Sequence, residues 1–204
     1  MNECLLCEKE LSSKPSWKSL LALEEETFIC LDCSKKFKHA DTSNEATTLD
    51  GLVSLYTYNE AMRDYLHQFK FLQDVALADV FANELRTVLK SKVNIVPIPM
   101  HPNKKVARTF AHVEELLKSA QIPYIDILEK IDEESMGEKS KQERLAMSPL
   151  FRFKQSTVIK PETYLLIDDI YTTGTTLNHA ARLLKEAGAA KVEAVTLIRA
   201  ILND

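Results

Sequence analysis

Apolar residues at 177, 180, 181 and 184 follow the i, i+3, i+4, i+7 spacing of a helix with one buried face, and Gly188 stands where such a helix would stop. Just before it, Tyr164 to Thr176 reads Y-L-L-I-D-D-I-Y-T-T-G-T-T. The run Leu165, Leu166, Ile167 has the character of a buried strand, so this stretch predicts a strand that hands over to a helix beginning near Thr176. Leu52 to Tyr58 alternates loosely and predicts another strand. Ala61, Tyr65, Leu66 and Phe69 share one helical face across Glu60 to Phe71, and a second helix is predicted from about Leu77 to Leu89. Asn94 to Pro99 is a short β-prone run ended by prolines, and Val192 to Ile198 is a final apolar strand. Strands alternating with helices predict an α/β domain with a doubly wound parallel sheet.

The turn between the central strand and helix carries the chemistry. Asp168 and Asp169 end the strand, and Gly174 lies among Thr172, Thr173, Thr175 and Thr176. A helix N-terminus leaves backbone N–H groups unpaired and carries partial positive charge. With a glycine for close approach and four hydroxyl donors, this turn is a phosphate cradle. Two carboxylates beside it would repel a second phosphate but accept hydrogen bonds from sugar hydroxyls, or help to hold Mg²⁺. The ligand implied is a phosphorylated sugar. Neither G-x-x-x-x-G-K-[ST] nor G-x-G-x-x-G occurs, so the usual nucleotide loops are excluded. The plain alternative is a buried strand with an acidic end and a Thr-rich helix start.

Composition narrows this further. The 204 residues suit one ordinary domain with a small appendage, and 26 basic against 30 acidic side chains exclude a globally basic nucleic-acid coat. The start M-N-E-C-L-L-C-E-K has no basic leader, and no run nears the roughly 18 apolar residues of a membrane span, so a cytoplasmic protein without membrane insertion is expected. All four cysteines fall in two pairs, Cys4-x-x-Cys7 and Cys30-x-x-Cys33. Two such knuckles complete a tetrahedral Cys₄ zinc site with no open position for catalysis. In a reducing cytosol, disulfides are the weaker reading. Residues 38 to 51 are polar and lack apolar periodicity, as a linker would. The expected division is a zinc ribbon plus linker over residues 1–45 and the α/β domain over 46–204.

Three further features bear on function. Lys70 ends the first predicted helix, where a solvated cation favoured by the dipole is one reading and a functional role the other. After Pro99 come Lys104, Lys105 and Arg108, a basic turn that would face the same sheet edge as the cradle, or else an ordinary solvated loop. Residues 129 to 148 are charged and lack strong periodicity, as expected of a mobile loop or a functional flap. Lys139, Lys141, Arg144, Arg152 and Lys154 could track a DNA backbone, with Phe110, Phe151 or Phe153 stacking bases; alternatively these are a solvated surface and core phenylalanines.

The run Leu165 to Thr176 resembles the phosphoribosyl-pyrophosphate (PRPP) signature of type I phosphoribosyltransferases. That resemblance implies ribose hydroxyls on Asp168 and Asp169, the 5-phosphate on Thr172, Thr173, Gly174, Thr175 and Thr176, and pyrophosphate near Pro99, Lys104 and Lys105, with Mg²⁺ bound to PRPP. More narrowly, V-P-I-P-M-H-P-N-K-K followed by R-T-F-A-H, with the paired C-x-x-C motifs, is similar to the ComF competence-protein family across the whole chain. Ala111 and His112 replace the Asn and Gln of that family's R-G-F-N-Q, and Met147 stands where a later motif has Asn. The family resemblance implies a role in natural transformation, with single-stranded DNA and a DNA-uptake helicase as partners in the cytoplasm. Two roles fit: a transferase passing ribose 5-phosphate to an acceptor, or a binding module that keeps the cradle as a sensor. A metabolic phosphoribosyltransferase acting on an unidentified base or amine is the alternative.

Overall fold

A computed structural model describes residues 3–11, 27–41, 48–101, 109–131 and 150–200. Helix α1 (Leu31–Ser34) belongs to the cysteine-bearing segment. There follow β1 (Gly51–Thr57), α2 (Glu60–Lys70), a 3₁₀ stretch (Val75–Phe81), α3 (Ala82–Leu89), β2 (Ile95–Pro97) and α4 (His112–Ser119). The chain ends with β3 (Leu128–Lys130), β4 (Phe151–Phe153), β5 (Thr163–Tyr171), α5 (Thr175–Glu186) and β6 (Lys191–Arg199). Four strands form a parallel sheet in the order β1, β6, β5, β2. The pair β3 and β4 is antiparallel and separate.

Period-two alternation along β5 sorts the core into two halves. Leu165 and Ile167 join a cluster with Tyr65, Phe69, Phe81, Leu85 and Leu116, from α2, the 3₁₀ stretch, α3 and α4. Tyr164 and Leu166 join the other, with Leu177, Ala180, Ala181 and Leu184 of α5. Helices thus cover both faces, as a doubly wound sheet requires. The four apolar positions that predict α5 are all buried. Its end is a Schellman turn: Gly188 (φ +107°) donates to the Lys185 carbonyl and Ala189 to the Leu184 carbonyl, each at 3.0 Å. Asn59 caps α2 by accepting from the Met62 N–H at 2.9 Å.

The helix expected from about Leu77 to Leu89 divides. Its first part is 3₁₀, where residues three apart eclipse, so that Ala78 and Phe81 are buried together. The Tyr65 hydroxyl donates to the Leu77 carbonyl at 3.2 Å and holds this turn against α2.

The amino-terminal segment packs into the same core. Phe37 is buried edge-on against Phe81, Tyr56 and Tyr65, at centroid distances of 5.1, 6.0 and 6.4 Å. Beyond it the chain runs antiparallel to β1: Thr57 donates to the Lys38 carbonyl at 2.8 Å and Ala40 to the Leu55 carbonyl at 3.0 Å. At the opposite side of the sheet Ile125 donates to the Ile95 carbonyl at 2.8 Å.

Candidate functional site

β5 delivers its acidic end, and the loop after it turns through Gly174, to the carboxyl edge of the sheet, where open α/β sheets bind ligands. Gly174 is the N-cap of α5 in the left-handed region (φ +73°), and no side chain caps the helix. First-turn N–H groups of α5 are therefore free of side-chain partners at the loop, the arrangement that suits an anion. The hydroxyls of Thr173 and Thr175 lie 2.9 Å apart on this exposed turn. Their mutual bond fixes the loop while leaving oxygen lone pairs and a proton for a phosphoryl group.

Asp168 and Asp169 differ sharply despite being adjacent. The Asp168 carboxylate accepts the Asp169 N–H at 2.9 Å. Burial, then the charge of Asp169, push its pKa up to about 8, against the opposing effects of that N–H, Lys70 and Lys130. The Asp169 carboxylate instead pairs with the Lys70 ammonium, the side chains being 13% and 12% exposed. Lys70 is thus no solvated helix-end cation. Its stem runs inward from the last turn of α2, and its charge meets an acid from the central strand.

These groups share a cavity of about 260 Å³. Of the residues singled out by sequence, Pro99, Asp168, Asp169, Thr172 and Thr176 line it. Thr173, Gly174 and Thr175 complete the loop without lining the cavity. Lys104, Lys105 and Arg108 lie outside the described residues, as do Lys139, Lys141, Arg144 and Met147. Arg152 and Lys154 are within them and are matched by carboxylates, Arg152 with Glu129 at 2.6 Å and Lys154 with Asp126. Phe151 is buried, and the partly buried Phe110 packs on Phe69 at 5.3 Å, so both contribute to the core.

At the amino terminus the four thiol sulfurs all lie within 4.8 Å of one another, and all four cysteines are free of disulfides. Zn–S bonds of about 2.3 Å in a tetrahedron separate the sulfurs by about 3.8 Å. Cys7 and Cys30 show 3.7 Å. The Cys30 N–H points at the Cys4 sulfur at 3.3 Å, the kind of bond that supports a ligating thiolate. The cluster fits a zinc ribbon and suits a metal such as zinc.

A model of the phosphoribosyl transferase domain matches residues 76–201. The chain is 34% identical over 220 residues to competence protein ComFC of Streptococcus pneumoniae, covering 97% of this chain and 100% of that one. It is 32% identical over 228 residues to competence protein ComFC of Bacillus subtilis, covering 96% of this chain and 94% of that one. The chain belongs to the ComFC family, with a phosphoribosyltransferase domain.

Among solved structures it resembles a hypoxanthine phosphoribosyltransferase of Staphylococcus aureus, with TM-score 0.36 and 17% identity over 62% of this chain and 74% of that one. The matched domain begins at residue 76, so α2 with Lys70 and the cysteine cluster belong to the part of the ComFC chain outside it. The lining also includes Lys130, to which no motif pointed, and His101 and His112, which both lie within the quoted motif runs. His112 is the more informative of the two. It stands where the ComF pattern has Gln, and the structure buries it at the start of α4 with its side chain in the cavity lining. No helix among the described residues is long and apolar enough to cross a membrane.

Proposed function

We propose that this ComFC-family protein binds PRPP with Mg²⁺ in the β5–α5 cavity and serves DNA uptake. The convergence of two acids and the Thr-rich helix start in one cavity carries this reading. The first turn of α5 and the hydroxyls of Thr172 to Thr176 hold the 5-phosphate. Asp168 and Asp169 accept from the ribose hydroxyls and orient the anomeric carbon toward the cavity. The Asp169 carboxylate, and that of Asp168 once it gives up its proton, offer hard oxygen donors, which fits Mg²⁺ held jointly by one or two carboxylates and substrate oxygens. Such an ion, when bound, neutralises charge on the departing pyrophosphate. Lys130, on β3, adds a cation to the same lining. Lys104 and Lys105, which lie outside the described residues, act on the pyrophosphate in this reading, as the family resemblance implies.

The ribbon holds zinc and has a structural role, its four thiolates leaving no open position. Natural transformation is the setting suggested by the ComFC relatives, with single-stranded DNA and an uptake helicase as partners in the cytoplasm. Calorimetry with PRPP and Mg²⁺, followed by a pyrophosphate-release screen across bases, nucleotides and single-stranded DNA, tests the assignment. Saturable binding of one PRPP per chain is expected. No binding at millimolar PRPP would overturn it. Pyrophosphate release with one acceptor class would identify a transferase, whereas binding without release under every acceptor would leave a ligand-sensing role.

A further inference from the structure

The Lys70–Asp169 pair is a problem for any sugar that needs Asp169. A diol approaching that carboxylate competes with an ammonium already on it, and both side chains are almost wholly withdrawn from solvent. Separating a desolvated ion pair is costly unless each charge finds a new partner. The diol hydroxyls satisfy the carboxylate. The ammonium, with three donors and no acceptor, requires a second anion inside the same cavity.

We infer that Lys70 is a specificity-determining ligand for the diphosphate of the bound sugar, exchanging Asp169 for that group as the ribose hydroxyls take the carboxylate. This rests on the PRPP reading above. Position supports it. Lys70 comes from the end of α2 and lines the cavity together with Pro99 and His101 of the segment after β2, whereas the cradle for the 5-phosphate lies at the start of α5. The 5-phosphate is thus served by backbone and threonines, and the described lysines of the cavity, Lys70 and Lys130, remain for the other end of the sugar. A ribose 5-phosphate lacking the diphosphate would break the pair and return no anion to Lys70. The site would therefore discriminate between the two sugars with a group that touches neither ring nor base.

The test is calorimetry on the full chain with PRPP, ribose 5-phosphate and pyrophosphate, each with Mg²⁺. For Lys70→Met, affinity for PRPP and pyrophosphate should fall about tenfold or more, while ribose 5-phosphate binds as well or better. Lys70→Arg should recover part of the pyrophosphate affinity, since the charge is kept. Equal losses for PRPP and ribose 5-phosphate would overturn the inference, because Lys70 would then only hold Asp169 in place. So would unchanged affinity for all three. Should Lys70→Met fail to fold, Asp169→Asn is the second variant. It leaves the ammonium without its pair and should bind pyrophosphate about threefold tighter and ribose 5-phosphate more weakly; unchanged pyrophosphate affinity again counts against the idea. A wild-type chain that binds none of the three ligands would instead bring down the sugar-phosphate reading itself, and this inference with it.

Discussion

Tyr171 fills the space into which a side chain on Gly174 would project: a Cβ there would stand 2.6 Å from the tyrosine hydroxyl oxygen and 2.9 Å from two ring carbons. The Arg199 guanidinium lies over the ring, 5.4 Å from its centroid. The phosphate loop is therefore shaped by a buried aromatic beneath it as well as by its left-handed glycine.

Gly174→Ala combines that clash with a left-handed backbone, which costs an L-residue about 1–2 kcal/mol. The loop must move, and PRPP affinity by calorimetry should fall by about tenfold or more. Gly188→Ala is the control. Gly188 is also left-handed, but nothing lies within 4 Å of its Cβ position. That change should lower stability by about 1–2 kcal/mol and leave PRPP affinity alone. Identical binding behaviour of the two variants would refute the role given to Tyr171.

Asp168 makes stability fall as pH rises. Its carboxyl keeps a proton up to about 8 in the folded chain, chiefly because of burial and then the charge of Asp169. In the unfolded chain the proton leaves near the ordinary value of about 3.9. Between those limits the native state binds more protons, so stability declines with pH through that window. Asp168→Asn removes the penalty and can still accept the Asp169 N–H. Its melting temperature relative to wild type should rise from pH 5 to pH 9, by the equivalent of about 1–3 kcal/mol. A constant difference across that range would show that burial leaves this carboxyl untouched.

Phe37 joins the cysteine-bearing segment to the main core. Phe37→Ala removes a buried ring that touches three aromatic neighbours, so a loss of about 3–5 kcal/mol in urea unfolding is expected. A loss below about 1 kcal/mol would mean that this segment merely rests on the surface.

Metal analysis should find about one zinc per chain, and Cys33→Ser should abolish it. Because a metal held by all four thiolates would supply much of the folding free energy of so short a segment, chelation should release its cysteine-bearing part to proteolysis before the sheet unfolds. Full resistance after the metal has gone would show that the ribbon folds without it.

The strand, loop and helix from Thr163 to Glu186 were legible because every determinant is local: an apolar run, a glycine turn and a 3.6-residue period. The cysteine spacing was legible for the same reason. Helix α4 also carries its own signal, with Val113, Leu116, Leu117 and Ala120 on one buried face. The 3₁₀ stretch could not be told from α-helix, since Leu77, Ala78 and Phe81 would be buried either way. Strands β3 and β4, three residues each, are too short to leave a pattern beside a charged segment. Lys70 was ambiguous because its partner lies on a distant strand. A cation at a helix end reads alike whether it meets water or Asp169. Phe37 likewise sits in a polar stretch, where one aromatic ring does not announce the core it enters.

The pairing of Lys38 and Ala40 with β1, and of Ile125 with β2, has a colloidal consequence. A parallel sheet with a bare outer strand invites neighbouring molecules to add on and grow. Here each margin of the sheet meets a length of its own chain, and on the β1 side that length leads directly from the cysteine cluster. Stripping the metal should therefore do more than slacken the ribbon: it should bare the rim of β1 and make the protein more prone to clump as concentration rises.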